Sequence, residues 1–137
     1  MEIISNFKLF RQYWAVGSSY GGVNDQTKKF LVENVWIEGW GLSDDNRNKR
    51  VLDEIQIDDI LAMKSSATKG AGHSITFTKL KAIGIVTDRI NYFTFTVNWL
   101  DTNDLPIDFD GIRYGKTIEP LRNDELLKYI KGILGDQ

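Results

Sequence analysis

Side chains that perform nucleophilic or metal chemistry are scarce in this sequence. Its 137 residues include one histidine, His73, and no cysteine, which excludes disulfides, cysteine nucleophiles and thiolate metal sites. A catalytic serine would need His73 as its base, and one histidine beside Ser74 in a Gly/Ser-rich stretch is weak support for such a pair. Zinc would also lack ligands. The sequence therefore predicts no catalytic residue, no metal site and no cofactor.

Two stretches imitate ligand-binding loops. "DTNDLPIDFDG" starts like a calcium loop, but Pro106 takes the sixth position, where glycine is needed, and Ile112 the twelfth, where glutamate is needed. "GIRYGKT" is one residue shorter than a Walker phosphate loop, and "IEP" follows it instead of a helix start. We therefore reject calcium and nucleotide binding. Neighbouring carboxylates of the kind used in acid–base or metal-ion chemistry occur at Asp44 and Asp45, Asp53 and Glu54, and Asp58 and Asp59.

Charge is segregated along the chain, although the formal net charge is only -2. Residues 60–87 hold four lysines and no acid, whereas residues 101–110 hold four aspartates and no base. The basic stretch is suited to contact phosphate, but lysines at the solvated edges of strands would give the same pattern. We give the two interpretations equal weight. The lysines concerned are Lys64, Lys69, Lys79 and Lys81.

Hydrophobic periodicity predicts one domain of short strands with an early and a late helix. The length and the 42% hydrophobic content match a single compact core. The early helix covers residues 26–35, is capped by Asp25 and ends near Asn34. The late helix covers residues 125–134 and is capped by Asn123 or Asp124. Strands are predicted at residues 13–18, 51–57, 60–64, 74–87 and 91–100, with a Gly/Ser-rich loop at 66–74.

Targeting signals are missing from the sequence. No apolar run is long enough to cross a bilayer, and the first ten residues lack the basic start and the cleavage site of a secretory signal. Together with the absence of cysteine, this predicts a cytoplasmic protein with no membrane partner.

The four tryptophans divide into two kinds. Trp14 lies inside a predicted strand, and Trp99 shares the apolar face of the strand at residues 91–100, so both are predicted to be core. Trp36 and Trp40 stand in "ENVWIEGWG", where glycines oppose a helix and the alternation of a strand is missing. Both are predicted to lie on a loop, with Trp40 packed over the edge of the core.

Six segments follow one another in a recognisable order: "YWAVGSS", "FLVENVWIEGW", "DDILAMKSS", "LKAIGIVTD", "FTVNWLD" and "IRYGKTIEPL". Their order and spacing resemble the EVE-like domains of the PUA superfamily, in particular those at the N-terminus of McrB-type modification-dependent restriction motors. The resemblance spans about residues 13–121. One departure occurs at Asp58, where the family usually has a glycine. Residues 122–137 lie outside the match and are a candidate link to a further domain.

The resemblance implies a fold and a function. The expected fold is a single α+β domain over residues 1–137, a PUA-like curved mixed sheet or open β-barrel with flanking helices, related to the YTH domains. The expected function is a non-catalytic reader that flips a modified base of DNA into an aromatic pocket. The base would be methylated or hydroxymethylated cytosine, or methylated adenine. Such a module would target a restriction system whose nucleotide-hydrolysing motor and nuclease lie in other domains or subunits.

The resemblance also implies site residues. Trp36 matches the cage tryptophan that follows the first helix in the YTH relatives, and Ser18 and Ser19 match the polar end of the first strand. Tyr20 or Trp40 would supply the second wall of the pocket. Lys64, Ser65 and Ser66 of "AMKSS" match the family's motif at the end of a central strand and are expected at the nucleic-acid backbone or a base edge. The basic stretch, independently of the resemblance, adds Lys69, Lys79 and Lys81 as expected contacts to phosphate.

Two alternatives stay open at this stage. The first is an RNA-binding PUA-like module, because the superfamily includes many proteins that bind or modify RNA. The second is a protein-interaction or assembly domain in which Trp36 and Trp40 anchor a partner chain.

Overall fold

The computed structural model describes residues 11–20, 24–39 and 49–135. The strands are β1 (Tyr13–Val16), β2 (Ser19–Tyr20), β3 (Asn24–Asp25), β4 (Val35–Ile37), β5 (Ile60–Lys69), β6 (Ile75–Asn91), β7 (Thr94–Trp99), β8 (Ile107–Asp110) and β9 (Ile118–Pro120). The helices are α1 (Thr27–Glu33), α2 (Lys49–Glu54) and α3 (Asp124–Leu134), and a short 3-10 turn, Ala71–His73, joins β5 to β6. None of the helices in the described ranges is both long enough and apolar enough to cross a membrane.

Seven strands form one open sheet. Six follow the order β4-β7-β6-β5-β1-β9, and β8 pairs with β6 beside this path. β1 runs parallel to β5, whereas the other pairs of this sheet are antiparallel. β2 and β3 form a separate antiparallel ribbon. The predicted α+β class, a mixed sheet with flanking helices, is confirmed, and the sheet is open because β4 and β9 are its edges.

Both faces of the sheet are buried at its centre. On β1, Trp14 and Val16 join one apolar cluster and Ala15 joins the other, as the alternation of a strand requires. The predicted core position of Trp14 is confirmed. The first cluster contains Phe30 of α1 and Leu52 of α2. The second cluster contains apolar residues of α3, so the helices cover opposite faces of the sheet.

Trp99 links the sheet to α1 and β4. It packs against the first cluster, as predicted, and its Nε1 donates hydrogen bonds to the carbonyl oxygens of Phe30 and Val35 at 3.1 and 3.2 Å. It lies opposite Gly84 of β6. A Cβ at Gly84 would clash with Val97 and lie 2.6 Å from Trp99 Cε3, so this contact requires glycine.

The two predicted terminal helices are confirmed. α1 ends at Glu33, and Asn34 follows in the left-handed conformation. The Asn123 side chain caps α3 by accepting a hydrogen bond from the Leu126 backbone N–H at 3.0 Å. The Tyr114 hydroxyl accepts two further backbone N–H groups at the start of α3. Although residues 122–137 lie outside the resemblance, α3 therefore packs as part of the domain.

The strand predicted at residues 51–57 is wrong, because part of this segment belongs to α2. Leu52 and Ile55 are three residues apart and both are buried in the first cluster, which is the spacing of one helical face. Ile57, which completed the apparent alternation of a strand, is 55% exposed.

The loop predicted at residues 66–74 is too long. β5 continues to Lys69 and β6 begins at Ile75, so the two strands form a long hairpin around a short turn. Gly70 and Gly72 have φ angles of 83° and 67° in this turn, which glycine adopts without strain. The long strands at residues 74–87 and 91–100 are confirmed as the cores of β6 and β7.

Asp59 ties the starts of β1 and β5 together. Its buried carboxylate accepts hydrogen bonds from the backbone and side chain of Gln12, from Trp14 Nε1 and from the Gln56 backbone, at 2.9 to 3.1 Å. The carboxylate is fully occupied by the fold. Of the neighbouring acids noted in the sequence, Asp59 thus has a structural role.

Candidate functional site

The end of β1 is held on three sides. Gly17 donates its backbone N–H to the Thr117 carbonyl at 2.8 Å, and the Gly17 carbonyl accepts from Trp36 Nε1 at 2.8 Å. The Ser18 carbonyl accepts from the Gln26 backbone N–H at 2.6 Å, just before α1 begins. These bonds to the β9 side, to β4 and to α1 fix the position from which the Ser18 side chain extends.

Four polar side chains meet at this strand end, and we call them the β1-end cluster: Ser18, Asp25, Thr27 and Lys81. Lys81 Nζ donates hydrogen bonds to Ser18 Oγ at 3.1 Å and to Thr27 Oγ1 at 3.3 Å. The two hydroxyl oxygens are 2.8 Å apart and share a hydrogen bond. Asp25 Oδ1 accepts from the Thr27 hydroxyl at 2.6 Å and from the Thr27 backbone N–H at 2.9 Å. The cluster is therefore a connected network of donors and acceptors.

A β-bulge brings Lys81 into this cluster. In the pairing of β5 with β6, Met63 lies opposite Ala82 but Lys64 lies opposite Leu80, so Lys81 is the extra residue. A bulge interrupts the alternation of side chains and redirects the extra one. Leu80 and Ala82 accordingly belong to different apolar clusters. The ammonium of Lys81 can thus reach residues that are far away in sequence.

The charges of the β1-end cluster balance each other. Lys81 Nζ lies 3.7 Å from Asp25 Oδ1. Hydrogen bonds from the side chain and backbone of Thr27 lower the pKa of Asp25, and the charge of Lys81 acts in the same direction. Asp25 therefore remains a carboxylate near neutral pH. An arrangement with one positive charge, one negative charge and two hydroxyls is better suited to a neutral polar ligand than to a bare anion.

Lys64 lies beside this cluster but is occupied by the fold. Its Nζ donates to the carbonyl oxygens of Tyr114 and Lys116 at 2.7 and 2.6 Å, and the residue is only 5% exposed. Burial lowers the pKa of Lys64 to about 8, with the charge of Lys81 acting in the same direction. The predicted contact of Lys64 with phosphate or a base edge does not fit this arrangement, because a ligand would first have to displace residues 114–116.

Ser66 also holds the segment that follows β8. Its hydroxyl bonds to Thr78 Oγ1 at 2.7 Å and accepts the Tyr114 backbone N–H at 2.9 Å, while Thr78 Oγ1 donates to the Ile112 carbonyl at 2.8 Å. These contacts are structural and do not place Ser66 in the β1-end cluster. Ser65 is partly exposed and lies opposite Lys79 in the hairpin.

Trp36 is a core residue of β4, so its predicted loop position is wrong. The side chain has 0% exposure, and its ring lies 6.1 Å from that of Phe95, its partner across the β4–β7 pair. A ring buried in this way offers no free face for stacking with a base. Its indole N–H instead holds the Gly17 carbonyl, next to Ser18. Trp36 is thus a positioning residue beneath the cluster.

The basic and acidic stretches of the sequence pair with each other in space. β8 lies beside β6, and Lys69 Nζ is 3.2 Å from Asp108 Oδ2 and 2.8 Å from Asp110 Oδ1. Lys79 Nζ is 3.5 Å from Asp108 Oδ1. Aspartates therefore neutralise these two lysines at the hairpin tip, which favours the interpretation of Lys69 and Lys79 as solvated strand-edge residues.

The remaining predicted pocket residues lie near or outside the described ranges. Ser19 is exposed on β2, the strand directly after Ser18. Tyr20 ends the same strand, and its side chain is outside the described part. Trp40 lies outside the described residues, so its predicted packing is not addressed by the structure.

Asp25 and Thr27 were not predicted as site residues from the sequence. Asp25 was predicted only to cap α1, and this is wrong, because Gln26 occupies the capping position and makes no side-chain cap bond. Asp25 lies one residue earlier and accepts the Thr27 backbone N–H from there. The sequence sign that Asp25 also belongs to a polar network is the hydroxyl of Thr27, two residues after its carboxylate. Their meeting with Lys81 depends on the bulge, which the sequence does not reveal.

Within the described ranges, no three histidine or acidic side chains gather into a group able to hold a metal ion. The sequence of the whole chain matches no protein-family model and no curated protein. The geometry of the β1-end cluster is consequently the basis for any functional assignment.

Proposed function

We propose that this chain is a non-catalytic reader of a modified base in DNA, an EVE-like domain of the PUA superfamily that targets a restriction system. The observation that carries the proposal is the β1-end cluster. Two residues predicted from sequence to contact the nucleic acid, Ser18 and Lys81, belong to the same hydrogen-bonded network. They are separated by 63 positions in the chain, and only the fold brings them together.

The chemistry of the cluster supports a base as the ligand. A flipped base is uncharged and presents hydrogen-bond donors and acceptors along one edge. The β1-end cluster offers an ammonium, a carboxylate and two hydroxyls with balanced charge. Such groups can bind a polar edge and fix its orientation.

The backbone at Asp58 also supports the proposed family. Asp58 has a φ angle of 77°, in the left-handed region that favours glycine. The family usually has glycine at this position. The departure in sequence is therefore compatible with the turn that the family's glycine would make, since aspartate is among the residues that tolerate this conformation.

Roles within the proposed site follow from the geometry. Lys81 contacts the edge of the base, and Ser18, which is buried at 3% exposure, holds the Lys81 ammonium from the inner side. Trp36 positions Ser18 through the Gly17 carbonyl. Stacking is assigned to Tyr20 or Trp40, as proposed from the sequence. A partner motor and nuclease would act on the DNA that this domain selects.

The test is a titration of the chain against matched duplexes at one fixed salt concentration. The duplexes carry 5-methylcytosine, 5-hydroxymethylcytosine, N6-methyladenine or the unmodified base at the same position. We expect at least one modification to bind about tenfold or more tightly than its unmodified partner, which corresponds to about 1.4 kcal/mol. Equal affinity for every duplex would refute the proposal.

Competition with RNA distinguishes the proposed DNA reader from the main alternative, an RNA-binding module. RNA of the same sequence should compete poorly with the preferred duplex. A preference for RNA that depends on the ribose 2′-hydroxyl would replace the DNA proposal with an RNA-binding function.

A further inference from the structure

The β1-end cluster has an inner side that is hydrogen-bonded and an outer side that is available. Every hydrogen bond that the described residues donate to Asp25 ends on its Oδ1 atom, which leaves Oδ2 as an acceptor. The Asp25 side chain is 59% exposed, and that of Lys81 is 13% exposed. A largely exposed carboxylate thus lies 3.7 Å, measured at Oδ1, from an ammonium whose side chain is mostly covered.

The inner bonds orient both groups. Thr27 holds Asp25 through its hydroxyl and its backbone N–H, and Lys81 donates to the two hydroxyls of the cluster. An ammonium has three N–H donors, and two of them are used in this way. The third can serve a ligand, because the 3.7 Å between Lys81 Nζ and Asp25 Oδ1 is too long for a hydrogen bond.

A phosphate is the wrong ligand for this pair. A negatively charged group drawn to Lys81 would also approach the carboxylate of Asp25, and like charges at such distances repel. A neutral group with a donor beside an acceptor satisfies both residues at once. The edge of a nucleobase has this form.

We propose that Asp25 and Lys81 are the specificity-determining pair for the flipped base, Asp25 accepting its exocyclic amino group and Lys81 donating to the adjacent ring nitrogen. This inference rests on the proposed function. For derivatives of cytosine or adenine, the exocyclic amino group is the donor of the edge that pairs in duplex DNA, so it is the group that an acceptor such as Asp25 must take. Lys81 is thereby moved from the predicted backbone contact to a base contact.

The pair makes a chemical demand on the modified base. A base methylated on a ring carbon keeps both amino hydrogens, and a singly methylated amino group keeps one. A doubly methylated amino group keeps none and should be excluded. Selection at Asp25 therefore depends on a remaining N–H rather than on the methyl group.

The test combines a protein variant with a change in the base. Asp25→Asn keeps an oxygen for the Thr27 bonds and replaces the outer acceptor with an amide donor. Binding is measured to duplexes with 5-methylcytosine or 5-methylpyrimidin-2-one, which lacks only the amino group. N6-methyladenine and purine form the second series. Asp108→Asn is the matched control, because Asp108 pairs with lysines at the hairpin tip.

The expected result is a coupling between Asp25 and the amino group. In the series that contains the preferred base, loss of the amino group should weaken wild-type binding about ten- to a hundredfold, as expected for a hydrogen bond to a charged group. The same change should alter binding by the Asp25→Asn variant less than about threefold. The Asp108→Asn variant should lose the same factor in affinity as wild type when the amino group is removed.

Other outcomes overturn the inference in distinguishable ways. In one such outcome, the wild-type chain prefers a modified base, but removal of the amino group lowers the affinity of Asp25→Asn as much as that of wild type. The pair is then refuted and the proposed function stands. If the wild-type chain prefers no modified base, both fall.

Lys81→Met gives an independent test of the role of Lys81 in the pair, and Lys79→Met serves as its control. Lys81→Met should weaken binding to the duplex that carries the preferred base and leave the salt dependence of binding to unmodified DNA unchanged. A uniform loss on all DNA with a shallower salt dependence would identify Lys81 as a phosphate contact and would overturn its role in the pair. Thermal unfolding of each variant confirms that the chain is folded during the titration.

Discussion

Two regions of the β5–β6 hairpin, the bulge and the tip, use lysine in opposite ways. Near β1, Lys64 is 5% exposed and bound to two carbonyls, while Lys81 lies among hydroxyls. Towards the tip, the side chains of Lys69 and Lys79 are 37% and 40% exposed and pair with aspartates of β8. All four belong to one basic stretch of the sequence. Burial and the type of partner, rather than local charge density, therefore decide what each lysine does.

The cause of the difference is the set of neighbours that each region receives. The hairpin tip has β8 alongside it, and the pairing places Lys79 opposite Asp108. At the bulge, β5 instead pairs in parallel with β1. The segment that follows β8 also passes close to β5 there, and Lys64 binds two backbone carbonyls of that segment. The lysines at the tip are therefore exposed to solvent and paired with charges, whereas Lys64 is buried among backbone acceptors.

The largest expected effect is at the β1 end, where Trp36 supports the strand. Trp36→Ala should lower the free energy of unfolding by about 3–5 kcal/mol, because it removes a fully buried ring from the first cluster. Trp36→Phe should lower the free energy of unfolding less than Trp36→Ala, because it keeps an aromatic ring and removes mainly the hydrogen bond from Nε1 to the Gly17 carbonyl. Urea denaturation at neutral pH measures both.

An effect of Trp36→Ala below about 1 kcal/mol would contradict its place in the core. In that case the residue would again be a candidate for stacking with the base. The variant thus decides between the role that the family resemblance implies and the role that the fold indicates.

The second prediction concerns pH and uses Lys64→Met as its reference. Burial lowers the pKa of Lys64 from 10.5 to about 8 in the folded chain. Between these values the unfolded chain binds a proton at Lys64 that the folded chain has released, so the stability of the wild type should rise with pH. Below pH 8 both states are protonated, and the unfavourable burial of the charge is constant.

The measurement is the free energy of unfolding of wild type minus that of Lys64→Met from pH 7 to 10.5. The difference should increase with pH, by roughly 3 kcal/mol at most for the whole shift. The subtraction removes the contribution of tyrosines, which titrate in the same range. A neutral amine still donates two hydrogen bonds, so both carbonyls stay satisfied after the proton is lost. A flat or falling difference would show that Lys64 is exposed to water.

Much of the fold could be predicted from the sequence because periodicity reports local structure. The alternation in β6 and β7 and the stripes and caps of α1 and α3 come from neighbouring residues. α2 was missed because a short apolar segment fits both periods, and only its packing in the first cluster decides between them. Trp36 was placed on a loop because the glycines that follow it hide a short edge strand.

The site was harder to predict because its contacts are distant in sequence. Ser18 was found through the family resemblance and Lys81 through the basic stretch, but their direct contact requires the bulge at Lys81. Asp25 looked like an ordinary helix cap. The neutralisation of Lys69 by β8 needed the pairing of two strands that no local pattern specifies.

The smallest expected effect is at the hairpin tip. Lys69→Met and Lys79→Met should each leave the free energy of unfolding nearly unchanged, because exposed ion pairs contribute little. Neither change should alter the ratio of affinities for modified and unmodified DNA. Urea denaturation and the titration described above measure these two quantities.

The tip variants also show whether the aspartates or the lysines dominate this surface towards DNA. If Lys69 and Lys79 contacted phosphate, each change to Met would weaken all DNA and make the salt dependence shallower. Because Asp108 and Asp110 neutralise them, we expect Asp108→Asn to strengthen non-specific binding slightly at low salt instead. The opposite result would be weaker DNA binding by the two lysine variants together with unchanged DNA binding by Asp108→Asn. It would mean that DNA displaces the aspartates from the lysines. The tip and the β1-end cluster would then belong to one binding surface.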